Sequence, residues 1–243
     1  MSFALHRIRQ TVRWIRPGTF LMGAASEEQG QRPWPGRETQ HKVTLTQGFW
    51  LADTAITQEM WYAVTHASPS GFKGDRHPVE RISRNNARAF IRRLNRRIPG
   101  LHARLPSEAE WEYACRAGTT SPFSAGADIS PELVNYDGRY PYRSCEQGIF
   151  RRTTVMVKSL PCNNWGMHEM HGNVREWCQD YWQPDLGPQP AVDPQGPKKG
   201  TFRVVRGGSW VSDACFVRSA CRDRYPSNYC LGSIGLRLAI TTE

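Results

Sequence analysis

Residues 104–118 read RLPSEAEWEYACRAG, a helix with both of its ends marked. Ser107 and Glu110 have the spacing of a capping box, in which the hydroxyl accepts from one exposed amide of the first turn and the carboxylate accepts from another. Trp111, Ala114 and Cys115 fall on one inward stripe, and Gly118 stands where a left-handed residue closes the last turn. Upstream, two more helices are marked in the same way. Thr57 caps a segment carrying Met60, Trp61 and Val64, and Ser83 caps a longer one with Ala87, Phe90, Ile91, Leu94 and Ile98, ended by Pro99 and Gly100. The first fifty residues alternate like strands at 11–15, 20–22 and 43–51, around a polar Gly/Pro-rich loop at 26–39.

Downstream of Gly118 the regular patterning fades for about ninety residues, leaving Gly, Pro, Asn and aromatic residues with only short strand candidates. Loops packed on loops must satisfy buried backbone groups without long ladders, so buried Trp, Arg–carboxylate pairs and bound ions are the expected devices. The chain has nine Trp. It closes with FRVVRGGSW at 202–210 and IGLRLAITT at 234–242, two apolar strands bracketing a polar, irregular segment. That segment is expected to be presented on a sheet, outside the core.

The totals narrow the possibilities. A chain of 243 residues can bury one good-sized core, and one domain over 1–243 is expected. No window approaches the roughly 18 uninterrupted apolar residues of a membrane span, and the first ten residues lack a leader's apolar core, so a cytoplasmic protein without membrane attachment is expected. Seven scattered Cys with no CxxC pair disfavour disulfide and zinc scaffolds. The net charge of +10 is mostly Arg spread along the chain, and the one dense run, Arg92, Arg93, Arg96 and Arg97, reads as a solvated helix face. Nucleic acid is not an expected partner.

Six runs occur in order: GTFLMGA (18–24), RLPSEAEWEYACRAG, NYDGRYPY (135–142), WGMHEMHGNVREWCQDYW (165–182), RVVRGGSW (203–210) and IGLRLA (234–239). Together they resemble the formylglycine-generating enzyme, or sulfatase-modifying factor, family. The resemblance implies an α+β, C-type-lectin-like fold, loop-rich with little regular secondary structure. It also implies several trades, so fold does not settle function. The family's enzymes oxidise a substrate cysteine with oxygen and a copper ion held by two cysteines just after GGS. Carried over without gaps from Gly207, those positions are Ser212 and Val217. Neither side chain offers the soft thiolate that copper(I) requires, so no copper and no catalytic residues are expected. Cys215 and Cys221 could serve only if GGSW were displaced. Formylglycine-type oxidation and a siderophore-maturation role stand as the alternative functions.

The segment 211–233, VSDACFVRSACRDRYPSNYCLGS, contains no Lys, Glu, Gln, Trp or Met, although these types supply 44 of the other 220 residues. At that rate their joint absence arises about once in a hundred times. They are the residues an Asn codon ending in a pyrimidine cannot reach when only its adenines change. In composition and position the segment resembles the variable proteins of diversity-generating retroelements, in which mutagenic reverse transcription rewrites adenine positions. The resemblance implies a non-catalytic display protein whose variable region, about 210–233, binds an unknown protein or other macromolecular ligand. Its candidate contact residues are Val211, Ser212, Asp213, Cys215, Phe216, Val217, Ser219, Cys221, Asp223, Tyr225, Ser227, Asn228, Tyr229, Cys230, Leu231 and Gly232. Arg218, Ala220, Arg222, Ile234, Gly235 and Arg237 read as the fixed frame. The contact residues are expected to be mostly exposed.

In EMHGNVREW the same family resemblance implies a structural calcium site from Glu169, the carbonyls of Gly172 and Val174, and Glu176, with a second site opening at Asn135. Hard oxygen donors on a turn suit calcium. The competing reading pairs Glu176 with a buried Arg such as Arg206 or Arg237. His168 and His171 read as polar packing residues, and no phosphate loop, nucleophile elbow or HExxH occurs.

Overall fold

The computed structural model describes residues 1–28, 38–143 and 145–241. The three helices lie where their caps put them. In α1 (Gln58–Thr65) the Thr57 side chain accepts from the Met60 amide, while α2 (Arg84–Arg97) and α3 (Glu108–Arg116) each begin with a reciprocal capping box, Ser83 with Asn86 and Ser107 with Glu110. Ala117, just past α3, takes the left-handed conformation and Gly118 follows at φ +90°.

Three small sheets carry the rest. β1 (Ser2–Leu5), β2 (Ile8–Ile15), β5 (Phe49–Ala52), β12 (Ala239–Ile240) and β6 (Ala103–Arg104) form one in that order. A second runs β10 (Arg222–Pro226), β9 (Phe202–Arg206), β7 (Arg175–Tyr181) and β11 (Ile234–Gly235); β3 (Gly18–Met22), β4 (His41–Leu45) and β8 (Ala191–Val192) make the third. The run at 43–51 divides into two strands at residues 46–48, and part of the loop expected at 26–39 lies outside the described residues.

Strand β7 does not advertise itself by alternation because four of its seven residues, among them Trp177 and Cys178, are buried on both faces of the sheet. It bonds antiparallel to β9 and parallel to β11. One apolar cluster joins α1, α2 and the first sheet around Phe90, Trp61 and Leu238; another packs α3 against all three sheets around Trp111, Phe49 and Val204. A small third cluster, Phe123, Tyr136, Tyr142, Ala214 and Val217, sits under the segment of interest.

Buried ion pairs replace missing ladders. Glu112, fully buried, accepts from the Gly23 amide at 2.8 Å, from Arg116 Nε at 2.9 Å and from Arg206 Nη2. Glu108 takes Arg222 in a fork at 2.6 and 2.8 Å. Such pairs fix geometry more than they add stability, because desolvation offsets much of their attraction.

Candidate functional site: the segment after β9

β9 ends in two glycines that no other residue could replace without displacement. Gly207 (φ +91°) brings the chain against the Met170 carbonyl and Trp111, and Gly208 (φ +64°) against Val217 and the Phe216 carbonyl. The chain then turns: Ser212 N–H donates to the Ser209 carbonyl at 3.0 Å, and the Ser212 hydroxyl accepts from the Ser209 amide at 3.0 Å. A short 3₁₀ turn over Ala214–Phe216 follows, then β10, which pairs with β9, and a loop back to β11. Trp210 Nε1 donates to the Gly232 carbonyl at 2.9 Å, so the two ends of the segment meet.

All six residues read as the frame are buried. Arg218 donates to Glu28 at 2.5 Å, to both oxygens of Glu38 at 2.8 and 3.0 Å, and to the Cys215 carbonyl at 3.0 Å. Arg237 forks onto Glu176 and also reaches the Ala52 and His168 carbonyls. Arg206 gathers the carbonyls of Ser219, Ala220 and Cys221 into one fan. Part of the backbone of the segment, at 215 and 219–221, therefore hangs from guanidinium groups.

Contrary to the expectation, the sixteen proposed contact residues are not mostly exposed: Val211, Asn228, Tyr229 and Cys230 are exposed, and Asp213, Cys215, Phe216, Asp223, Tyr225, Ser227, Leu231 and Gly232 are half-buried against the loops and strands around them. The other four, Ser212, Val217, Ser219 and Cys221, are buried and require correction: they are not surface contacts. Val217 belongs to the third apolar cluster, Ser212 closes its own turn, Ser219 faces the Cys115 thiol at 3.7 Å, and Cys221 is buried where the chain enters β10. Tyr225 and Tyr229 stack face to face, 5.4 Å apart at 6°.

Sequence reasoning missed the aromatic border of this surface. Trp210 meets Phe72 edge-on at 5.2 Å and stacks on Phe150 at 5.9 Å, with the Arg139 guanidinium 4.5 Å above Phe150. Phe72 is held there because buried Glu80 accepts from the Gly71 and Phe72 amides. Each ring lies in a short Gly-containing run, 71–74 and 148–150, and that is the only signal either gives.

The two positions matched to copper ligands are both taken up by contacts within the protein. The Ser212 hydroxyl is engaged, and Val217 is an apolar core residue. Burial pushes the Cys221 thiol up to about 12, so the displaced alternative with Cys215 offers a poor thiolate. Burial likewise brings His171 down to about 4. Its neutral ring donates from Nδ1 to the Val217 carbonyl at 2.7 Å and accepts at Nε2 from the Ser124 amide at 3.0 Å, as a packing residue would.

The calcium donors divide. Glu176 receives Trp111 Nε1 at 2.7 Å and the Arg237 fork, the ion-pair reading, and so is not a free ligand. Both oxygens of Glu169 are buried without a partner in hydrogen-bond geometry among the described residues, and burial raises its carboxyl to about 7 against the weaker pull of Arg237 and the Leu160 and Lys158 amides. Asn135 Oδ1 is orphaned in the same way. No three His, Cys, Asp or Glu side chains converge among the described residues, so a cation at Glu169 would rely on carbonyl oxygens. No helix among them is long and apolar enough to cross a membrane.

Comparison with known proteins places this geometry. Residues 3–242 match the profile of the sulfatase-modifying factor enzyme 1-like domain. The formylglycine-generating enzyme of Streptomyces coelicolor is 34% identical over 186 residues, covering 70% of this chain and 56% of that protein. The Bos taurus enzyme is 31% identical over 171 residues, covering 67% and 44%. The chain thus spans about half the length of these curated relatives. Among solved structures, Treponema denticola variable protein 1 superposes with a TM-score of 0.86 at 23% identity, covering 99% of this chain and 98% of that one, a likeness of fold. PvdO from Pseudomonas aeruginosa superposes with a TM-score of 0.82 at 25% identity, covering 100% and 98%. With nearly its whole length matched, the chain belongs to the sulfatase-modifying factor enzyme 1-like family.

Proposed function

We propose that the chain is a display protein of the diversity-generating retroelement type, binding a protein or other macromolecule through residues 211–232. One observation carries this reading. The stretch that lacks five residue types is also the stretch whose accessible side chains project from a backbone pinned by buried Arg218, Arg222 and Arg206. A surface can be resampled only where folding does not depend on it, and here the fixed positions are the buried ones. Tyr225 and Tyr229 supply rigid contact area at low entropic cost, while Asp213, Ser227 and Asn228 supply polar specificity. Trp210, Phe72 and Phe150 give the surface a constant aromatic edge. The proposal includes a structural calcium at Glu169, supported by its two unpartnered oxygens, with Glu176 taking no part.

A second reading, formylglycine-type oxidation, is favoured by the names of the curated relatives. Ser212 and Val217 oppose it because oxygen and hydrocarbon are poor donors for copper(I). Titration with copper(I) and incubation with a Cys-containing sulfatase peptide separate the two. The display reading expects no stoichiometric copper binding and no formylglycine product; stoichiometric binding with turnover would overturn it.

A further inference from the structure

Away from the display segment, a cleft of about 370 Å³ opens between α2, β6, β7 and β9, and arginines dominate its walls: Arg84, Arg88, Arg92, Arg104 and Arg203. No carboxylate lines it. Arg104 is answered by Glu110, with which it forms a two-point pair at 2.6 and 2.7 Å. The other four make no ion pair among the described residues. Arg84 and Arg203 both donate to the Gln179 carbonyl, at 2.8 and 2.7 Å, and Arg84 Nε also reaches the Cys178 carbonyl at 3.4 Å. Two like charges drawn together on neutral carbonyls are a costly arrangement without an anion. Arg203 Nε is buried without a hydrogen bond while its guanidinium lies over the Tyr181 ring, and Arg84 is buried. Burial, reinforced by the neighbouring Arg203 and Arg88 charges, lowers Arg84 to about 10.

The cleft lies within the roughly 300–1,000 Å³ range of small-molecule sites. A single carboxylate would answer one guanidinium; four without an ion pair call for several charges packed into a small space. Adjacent phosphoryl groups provide that charge with acceptor geometry matched to guanidinium forks. We propose that this cleft binds a small molecule carrying two or more adjacent phosphoryl groups, with buried Arg84 and half-buried Arg203 as the inner anchors and Arg88 and Arg92 closing over it from the exposed face of α2. Every residue of the site lies outside 211–232, so the proposal is independent of the display reading.

Inorganic pyrophosphate is the probe, measured by calorimetry and by thermal unfolding at fixed ionic strength. At about a hundredfold excess over Kd the unfolding midpoint should rise by roughly 5–10 °C. Arg88→Gln with Arg92→Gln removes two exposed charges and should weaken binding at least tenfold. Arg93→Gln with Arg96→Gln removes the same charge from the other side of α2, where those residues line a separate cleft with His66, and should change affinity less than threefold. Unfolding without pyrophosphate verifies that both variants fold. The absence of a midpoint rise, equal losses in the two variants, or equally tight binding of citrate would each overturn the proposal.

Discussion

Glu169 and Glu176 stand seven positions apart in one motif, and their surroundings give them opposite electrostatics. Glu176 is neutralised by the Arg237 fork and the Trp111 indole. Glu169 has burial as its largest influence and ionises near 7 instead of the usual 4.5. The folded state therefore holds a proton that the unfolded chain has already released between these values, so stability falls as pH rises from 4.5 through 7. Glu169→Gln should raise stability at pH 8, in chelator, by roughly 1–3 kcal/mol, with the difference gone below about pH 4.5. Urea unfolding across that range checks it, and a constant difference at all pH values would contradict it. Millimolar calcium should then raise the midpoint of the wild type and leave that of Glu169→Gln unchanged.

At the scale of elements, the segment between β9 and β11 is two interleaved sets of positions. Random substitution at Val211, Asp213, Ser227, Asn228 and Tyr229 should shift stability by no more than about 0.5 kcal/mol per site, the ordinary range for surface positions. Val217→Asp or Ala220→Asp should cost roughly 3 kcal/mol or more by burying an unpaired charge. A pooled library sorted for folded protein measures both sets at once; equal intolerance in the two sets would remove the distinction. The helices were legible because Thr57, Ser83 and Ser107 announce them locally. Strand β7 was not, since burial on both faces erases the two-residue period. Within the segment, composition marked the stretch and fixed the frame at Arg218, Arg222 and Arg237. It could not separate Ser212 and Ser219 from Ser227, because Ser212 turns inward onto the Ser209 amide and Ser219 meets the Cys115 thiol 104 positions away, and composition carries neither contact.

For the molecule as a whole, family membership establishes the scaffold and leaves its use to the site. The most distinctive part of this chain is the segment after GGSW, where the residues matched to copper ligands are a turn-closing serine and a core valine. If that segment was written by adenine-directed mutagenesis, its source is a second DNA copy. Sequencing the DNA that flanks the gene is the direct test. The expected result is a near-copy of the bases encoding 211–233 that differs only where the copy carries adenine, beside a gene for a reverse transcriptase. Flanks containing neither the copy nor the transcriptase would contradict the display function.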